Sequence, residues 1–134
     1  MINKISKVAF TIFVVMLLIS CKNTKQKLQE YVVTYNKTIA PSFRAENVTL
    51  TTARGYINDN KIELRFETNL KQNEGKKVAT SVAFARMRQS MIKKDQIPTE
   101  LIEEGVEFHL YYLADDNTVL NKEVLTKESL QYLK

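Results

Sequence analysis

Lys61-Ile62-Glu63-Leu64-Arg65-Phe66-Glu67-Thr68-Asn69-Leu70 alternates with a period of two. Ile62, Leu64, Phe66, Thr68 and Leu70 fall on one side, and Lys61, Glu63, Arg65, Glu67 and Asn69 on the other. Successive side chains of a strand point to opposite faces, so this stretch predicts a strand with one buried and one wet face. That pattern suits an antiparallel sheet covered on one side only.

Before it, Val48 to Ile57 is rich in Thr, Val and Tyr and reads as a second strand. Asn58-Asp59-Asn60 between them is turn chemistry, because Asn and Asp tolerate left-handed backbone. The two strands therefore make a hairpin. Further upstream, Leu28, Val32, Tyr35 and Ile39 recur at helical spacing, predicting a helix over Lys25–Ile39. Pro41 is expected to stop that helix and to push Ala40 out of the helical region.

Downstream, Gln72 to Lys77 is a polar loop and Val78 to Lys94 reads as a long helix. Val78, Val82, Ala85 and Ile92 share one face, and Phe84, Met87 and Met91 a neighbouring one. The wide apolar arc predicts packing on the sheet and on a further element. Pro98 to Gly105 predicts one or two more helical turns, with Pro early and Gly just past the end. Val106 to Leu113 places Val106, Phe108, Leu110 and Tyr112 on one strand face, Asp115-Asp116-Asn117 turns the chain, and Val119 to Leu125 returns. Thr126 is placed to cap a last short helix, Lys127 to Leu133. The expected fold is a single α+β domain, αββαββ with a terminal helix, whose four-stranded antiparallel sheet is packed by helices on one face.

The chain has 134 residues, 44% apolar and 26% charged, which suits one globular domain rather than a disordered chain. Its N-terminus has a different character. Lys4 and Lys7 precede the uncharged apolar run Val8 to Ile19, and Ser20 supplies a small residue before Cys21. This is the layout of an export signal, and the run is shorter than the roughly 18–20 residues a bilayer-spanning helix needs. Leu18-Ile19-Ser20-Cys21 resembles the lipobox of bacterial lipoproteins. The resemblance implies lipid transfer to the Cys21 sulfur, cleavage between Ser20 and Cys21, and acylation, for example by palmitate, of the new amino group. Several acyl chains anchor stably where one is marginal. The expected organisation is residues 1–20 as signal peptide, 21–27 as lipidated tether and 28–134 as the domain. Cys21 is the only cysteine, so no disulfide partner competes for it.

Losing Lys4 and Lys7 with the signal lowers the formal charge from +5 to +3. A basic chain raises nucleic acid as a partner, but an exported one does not meet the chromosome, and no basic stretch here is interleaved with aromatics. Lys22 after the cysteine, where an Asp resembles an inner-membrane retention signal, implies an outer-membrane lipoprotein facing the periplasm. Tyr35-Asn36 through Pro41, Val48-Thr49-Leu50, and Leu101-Ile102-Glu103-Glu104-Gly105-Val106 with the strands that follow resemble small exported αββαββ bacterial proteins of unknown function. That likeness implies a fold and no activity.

Candidate chemistry is sparse. His109 is the only histidine and shares a predicted strand face with Glu107 and Tyr111, a base, carboxylate and phenol that suit proton transfer or simply a solvent face. Glu103, Glu104 and Glu107 around Gly105, and Asp115-Asp116-Asn117, offer oxygen ligands without the spacing of a calcium loop. A lone histidine without Cys makes no typical zinc site. Neither a Gly-x-Ser-x-Gly elbow nor a phosphate-cradling glycine loop is present. Arg86, Arg88, Lys93 and Lys94 on the long helix suit an acidic partner or a solvated face. No cofactor or metal site is expected. These readings predict a membrane-anchored, non-enzymatic binding or accessory module of the cell envelope, held by lipid on Cys21 and engaging an envelope protein. The alternatives are a periplasmic immunity-type inhibitor of a toxin and a small envelope enzyme using His109.

Overall fold

The computed structural model describes residues 22–73 and 77–133. The expected export signal of residues 1–20 and the expected lipidation site Cys21 lie outside the described residues. Among those described, no helix is long and apolar enough to cross a membrane.

Helix α1 (Thr24–Thr34) opens on a capping box, in which the Asn23 side chain accepts from the Gln26 N–H and the Gln26 side chain accepts from the Asn23 N–H. The helix thus starts one residue before the expected Lys25, and its first turn lies within the stretch 21–27 expected as tether. A π-helical turn (Tyr35–Ile39) and the short α2 (Ala40–Ser42) continue the same path. Pro41 therefore does not end the helix, and Ala40 is helical at φ −57°, ψ −44°. The Ala40 N–H reaches back to the Tyr35 carbonyl across the widened turn, which accommodates a following residue that has no N–H to give.

Strands β1 (Val48–Tyr56) and β2 (Lys61–Thr68) form the expected hairpin, with Asn60 left-handed at φ 52°. Helix α3 (Lys77–Lys93) and α4 (Thr99–Glu103) follow, then β3 (Glu107–Leu113), β4 (Val119–Leu125) and α5 (Leu130–Leu133). The β3–β4 turn likewise uses a left-handed Asn117, φ 68°. The α+β, single-domain architecture is as expected.

The sheet is not purely antiparallel. Its order is β1-β2-β3-β4, and the central pair β2–β3 is parallel, in register from Lys61↔Glu107 to Glu67↔Leu113. The reason is the length of the crossover. Eight residues of β2 advance about 26 Å. The seventeen of α3 return about 26 Å. The chain therefore re-enters the sheet at the end where β2 began. There Glu107 N–H donates to the Asn60 carbonyl (3.0 Å), and the Asn60 side chain donates to the Gly105 carbonyl (3.1 Å).

The core lies between the sheet and the helices on one face. Ile62, Leu64, Phe66, Phe108, Leu110, Tyr112 and Leu125 are buried from the sheet, against Leu28, Tyr35, Phe84, Met91, Ile97 and Ile102. On α3 the buried arc is narrower than the sequence suggests. Phe84, Met87 and Met91 are buried, but Val82 is 45% exposed. α1 lies close on β1 at Gly55, where an added Cβ would come within 2.9 Å of Leu28 Cδ2. At the edge of the sheet, the Asn36 amide does for β1 what a neighbouring strand would do. It donates to the Ala53 carbonyl (3.0 Å) and accepts from the Ala53 N–H (2.8 Å).

Candidate functional site

The face of the sheet turned away from the helices holds the three residues singled out from the sequence. Register places Arg54, Glu63, His109 and Val124 in one row across the four strands, and Thr52, Arg65, Tyr111 and Lys122 in the next. Tyr56, Lys61 and Glu107 form a third row at the end of the sheet. Period-two alternation causes this directly, since the partners in each row all sit one residue from a core position.

These side chains are stitched together. Tyr56 Oη donates to Glu63 Oε2 (3.2 Å), and Lys61 Nζ stands 3.5 Å from Glu63 Oε1 and 4.5 Å from the centre of the Tyr56 ring. Lys122 Nζ lies 5.1 Å from the centre of the Tyr111 ring, a cation–π contact. His109 sits among them with its side chain 15% exposed. Its Nε2 is 3.5 Å from Glu107 Oε2, too long and misaligned for a hydrogen bond, so Glu107 is an electrostatic neighbour rather than an acceptor. Both ring nitrogens are buried and make no hydrogen bond among the described residues. The structure thus brings Glu107, His109 and Tyr111 onto one face, but it withholds both histidine nitrogens from a substrate approaching that face. A general base needs its nitrogen within hydrogen-bond reach of the proton it takes.

Glu100, Glu104 and Asp116 make contacts within the fold. Glu104 holds α1 by its pair with Lys27 (2.6 Å), which Glu100 supports at 3.2 Å. Those two hydrogen-bonded carboxylates, Glu104 first, raise the Lys27 ammonium above its usual range. Asp116 accepts from the Thr118 N–H (3.0 Å) inside its turn, and its contacts with Thr118 hold the carboxyl below the usual range. Among the described residues, no group of three or more His, Cys, Asp or Glu is gathered to hold a metal ion.

The basic residues of α3 divide. Arg88 turns toward the sheet and pairs with Glu123 of β4, leaving its Nε buried without a partner. Arg86 and Lys94 instead line a cleft whose opposite wall carries Arg44. The sequence reading missed Arg44 because it lies outside any periodic element. The 86, 90, 94 spacing of Arg, Ser and Lys was the available signal for the other wall.

No protein-family model matches the chain, and neither a curated protein nor a solved structure does.

Proposed function

We propose that the chain is a lipid-anchored, non-enzymatic binding module of the bacterial envelope, and that its partner protein docks on the open face of the sheet. The observation that carries this reading is the face itself. Tyr56, Tyr111 and His109 are interleaved there with both signs of charge, held in fixed geometry by their own contacts. Rigid aromatic groups bury much area at little entropic cost, and a set pattern of charges selects the partner and its register. The concealed ring nitrogens of His109 favour recognition over proton transfer.

The anchor supports the same reading. Cys21 precedes the first helical residue, Thr24, by three positions, at most about 11 Å of extended chain. A lipid on Cys21 would keep the Thr24 end of the domain beside the headgroups, an end that also carries Glu100 and Glu104.

The test has two arms. Intact mass and detergent partitioning of the whole chain are compared with Cys21→Ser; acylated, cleaved protein is expected, and only from the parent. A photo-crosslinking residue is placed at Thr52 or Tyr111 on the face, and at Lys37 on the N-terminal helical segment as a control. A discrete adduct from the face positions alone is expected. An uncleaved chain without lipid removes the anchor. Absence of an adduct, or equal labelling from Lys37, removes the docking face.

A further inference from the structure

A cleft lies on the other side of the sheet, between residues 42–46 at the end of α2 and the long helix α3. It encloses about 300 Å³. Its floor is apolar and buried, formed by Met87, Met91 and Tyr112. Its rim carries Arg44 on one wall and Arg86 and Lys94 on the other. We propose that this cleft binds a small organic anion with an apolar body, its charge held by Arg44, Arg86 and Lys94 and its body seated on Met87, Met91 and Tyr112.

Charge is the first argument. Three cations and one carboxylate, Glu46, line the cleft. Among the described residues, none of the three cations is within ion-pair distance of a carboxylate. Arg44 Nη1 donates to the carbonyls of Phe43 (2.7 Å) and Pro41 (3.4 Å), which steadies the side chain and, among the described residues, leaves its other donors without an acceptor. Arg86 and Ser90 are four residues apart on one stripe of α3, and Lys94, just past its end, stays in line because its N–H still donates to the Ser90 carbonyl (2.9 Å). A concavity lined by one sign of charge over a low-dielectric floor focuses its field on the opposite charge.

Shape and floor are the second argument. About 300 Å³ stands at the lower end of small-ligand sites. It equals roughly ten water volumes, enough for a single ring or a short chain with its carboxylate and too little for a two-chain lipid. Thioether side chains adapt to an apolar guest, and the Tyr112 ring is fixed from behind by Phe84 and by its hydroxyl's bond to the Glu46 carbonyl. Neither polar nor apolar lining alone would define such a ligand; the two together call for an anion with a greasy body. The cleft shares no residue with the docking face, so this inference stands apart from that reading.

The experiment is a fluorine NMR titration on the whole chain in nanodiscs of zwitterionic lipid, with empty discs subtracted. The probes are 4-(trifluoromethyl)benzoate, its neutral amide and trifluoroacetate. The benzoate is expected to bind at least about tenfold more tightly than either of the others, a difference of about 1.4 kcal/mol. The double variant Arg86→Gln/Lys94→Gln should erase that preference, while Glu46→Gln should strengthen benzoate binding. Equal binding of amide and benzoate, an unchanged preference in the double variant, or weaker benzoate binding in Glu46→Gln would each overturn the proposal. So would the absence of saturable benzoate binding at millimolar concentration.

Discussion

Tyr35 and Thr51 offer the sharpest check on the core. The π-helical turn brings the Tyr35 hydroxyl to 2.6 Å from Thr51 Oγ1, where Tyr35 is 0% and Thr51 3% exposed. Neither hydroxyl reaches water, so removing one strands the other. Tyr35→Phe should cost about 1–3 kcal/mol, and Thr51→Val a similar amount. The double variant leaves no orphan. It should return to within about 1 kcal/mol of the parent, because replacing both partners by apolar groups of the same shape is nearly neutral. For a domain of this size each kcal/mol moves Tm by roughly 4 °C. Urea titration and thermal melts of the four proteins measure the cycle. The same pair sets an alkaline limb. Burial pushes the Tyr35 hydroxyl up to about 12, against an opposing pull from the Thr51 hydrogen bond. The unfolded phenol ionises near its ordinary value of about 10. Its contribution is thus fully present below about pH 10 and is lost as pH rises toward 12, by about 3 kcal/mol in all. Tyr35→Phe removes that proton, so its stability should fall less steeply over this window. The part that persists belongs to Tyr31 and Tyr112, whose hydroxyls are also raised, first by burial, and to Lys27, raised first by its bond to Glu104. Additive single costs in the double variant, or an unaltered alkaline slope in Tyr35→Phe, would refute the reasoning.

Three further outcomes follow from the same geometry. Asn36→Ala leaves both the N–H and the C=O of Ala53 unpaired at the sheet edge, so it should destabilise by about 1–3 kcal/mol and speed hydrogen exchange at Ala53. Gly105 holds φ +101°, so Gly105→Ala should cost about 1–2 kcal/mol by denaturant titration, whereas Asn36→Ala and Gly105→Ala combined should be additive because the sites share no contact. Arg88→Leu alone strands Glu123 and should cost up to about 3 kcal/mol, while Arg88→Leu/Glu123→Leu should recover most of it, measured as a double-mutant cycle in urea.

Several elements could be placed from residues alone. Alternation over Ile62 to Thr68 and over Val106 to Tyr112 assigns the buried and open positions of β2 and of β3 up to Leu113, which is buried out of turn where the pairing with β4 shifts register, because the side-chain period of a strand is fixed by backbone geometry. The Asn turns at 60 and 117 follow from the low cost of left-handed backbone for that residue. The co-facing of Glu107, His109 and Tyr111 follows from the same period. Strand direction is different: alternation reads the same whether neighbours run parallel or antiparallel, so the β2–β3 pairing waited on the match between the lengths of α3 and β2. The π turn has no signature in the helical spacing of Leu28, Val32, Tyr35 and Ile39, although it aims Tyr35 at Thr51 and Asn36 at the edge of β1. The concealment of the His109 nitrogens, the turning of Arg88 to Glu123, and the meeting of Arg44 with Arg86 and Lys94 join residues from separate elements. No periodicity within one segment carries such contacts, because they depend on which faces the crossover and the packed helices bring together.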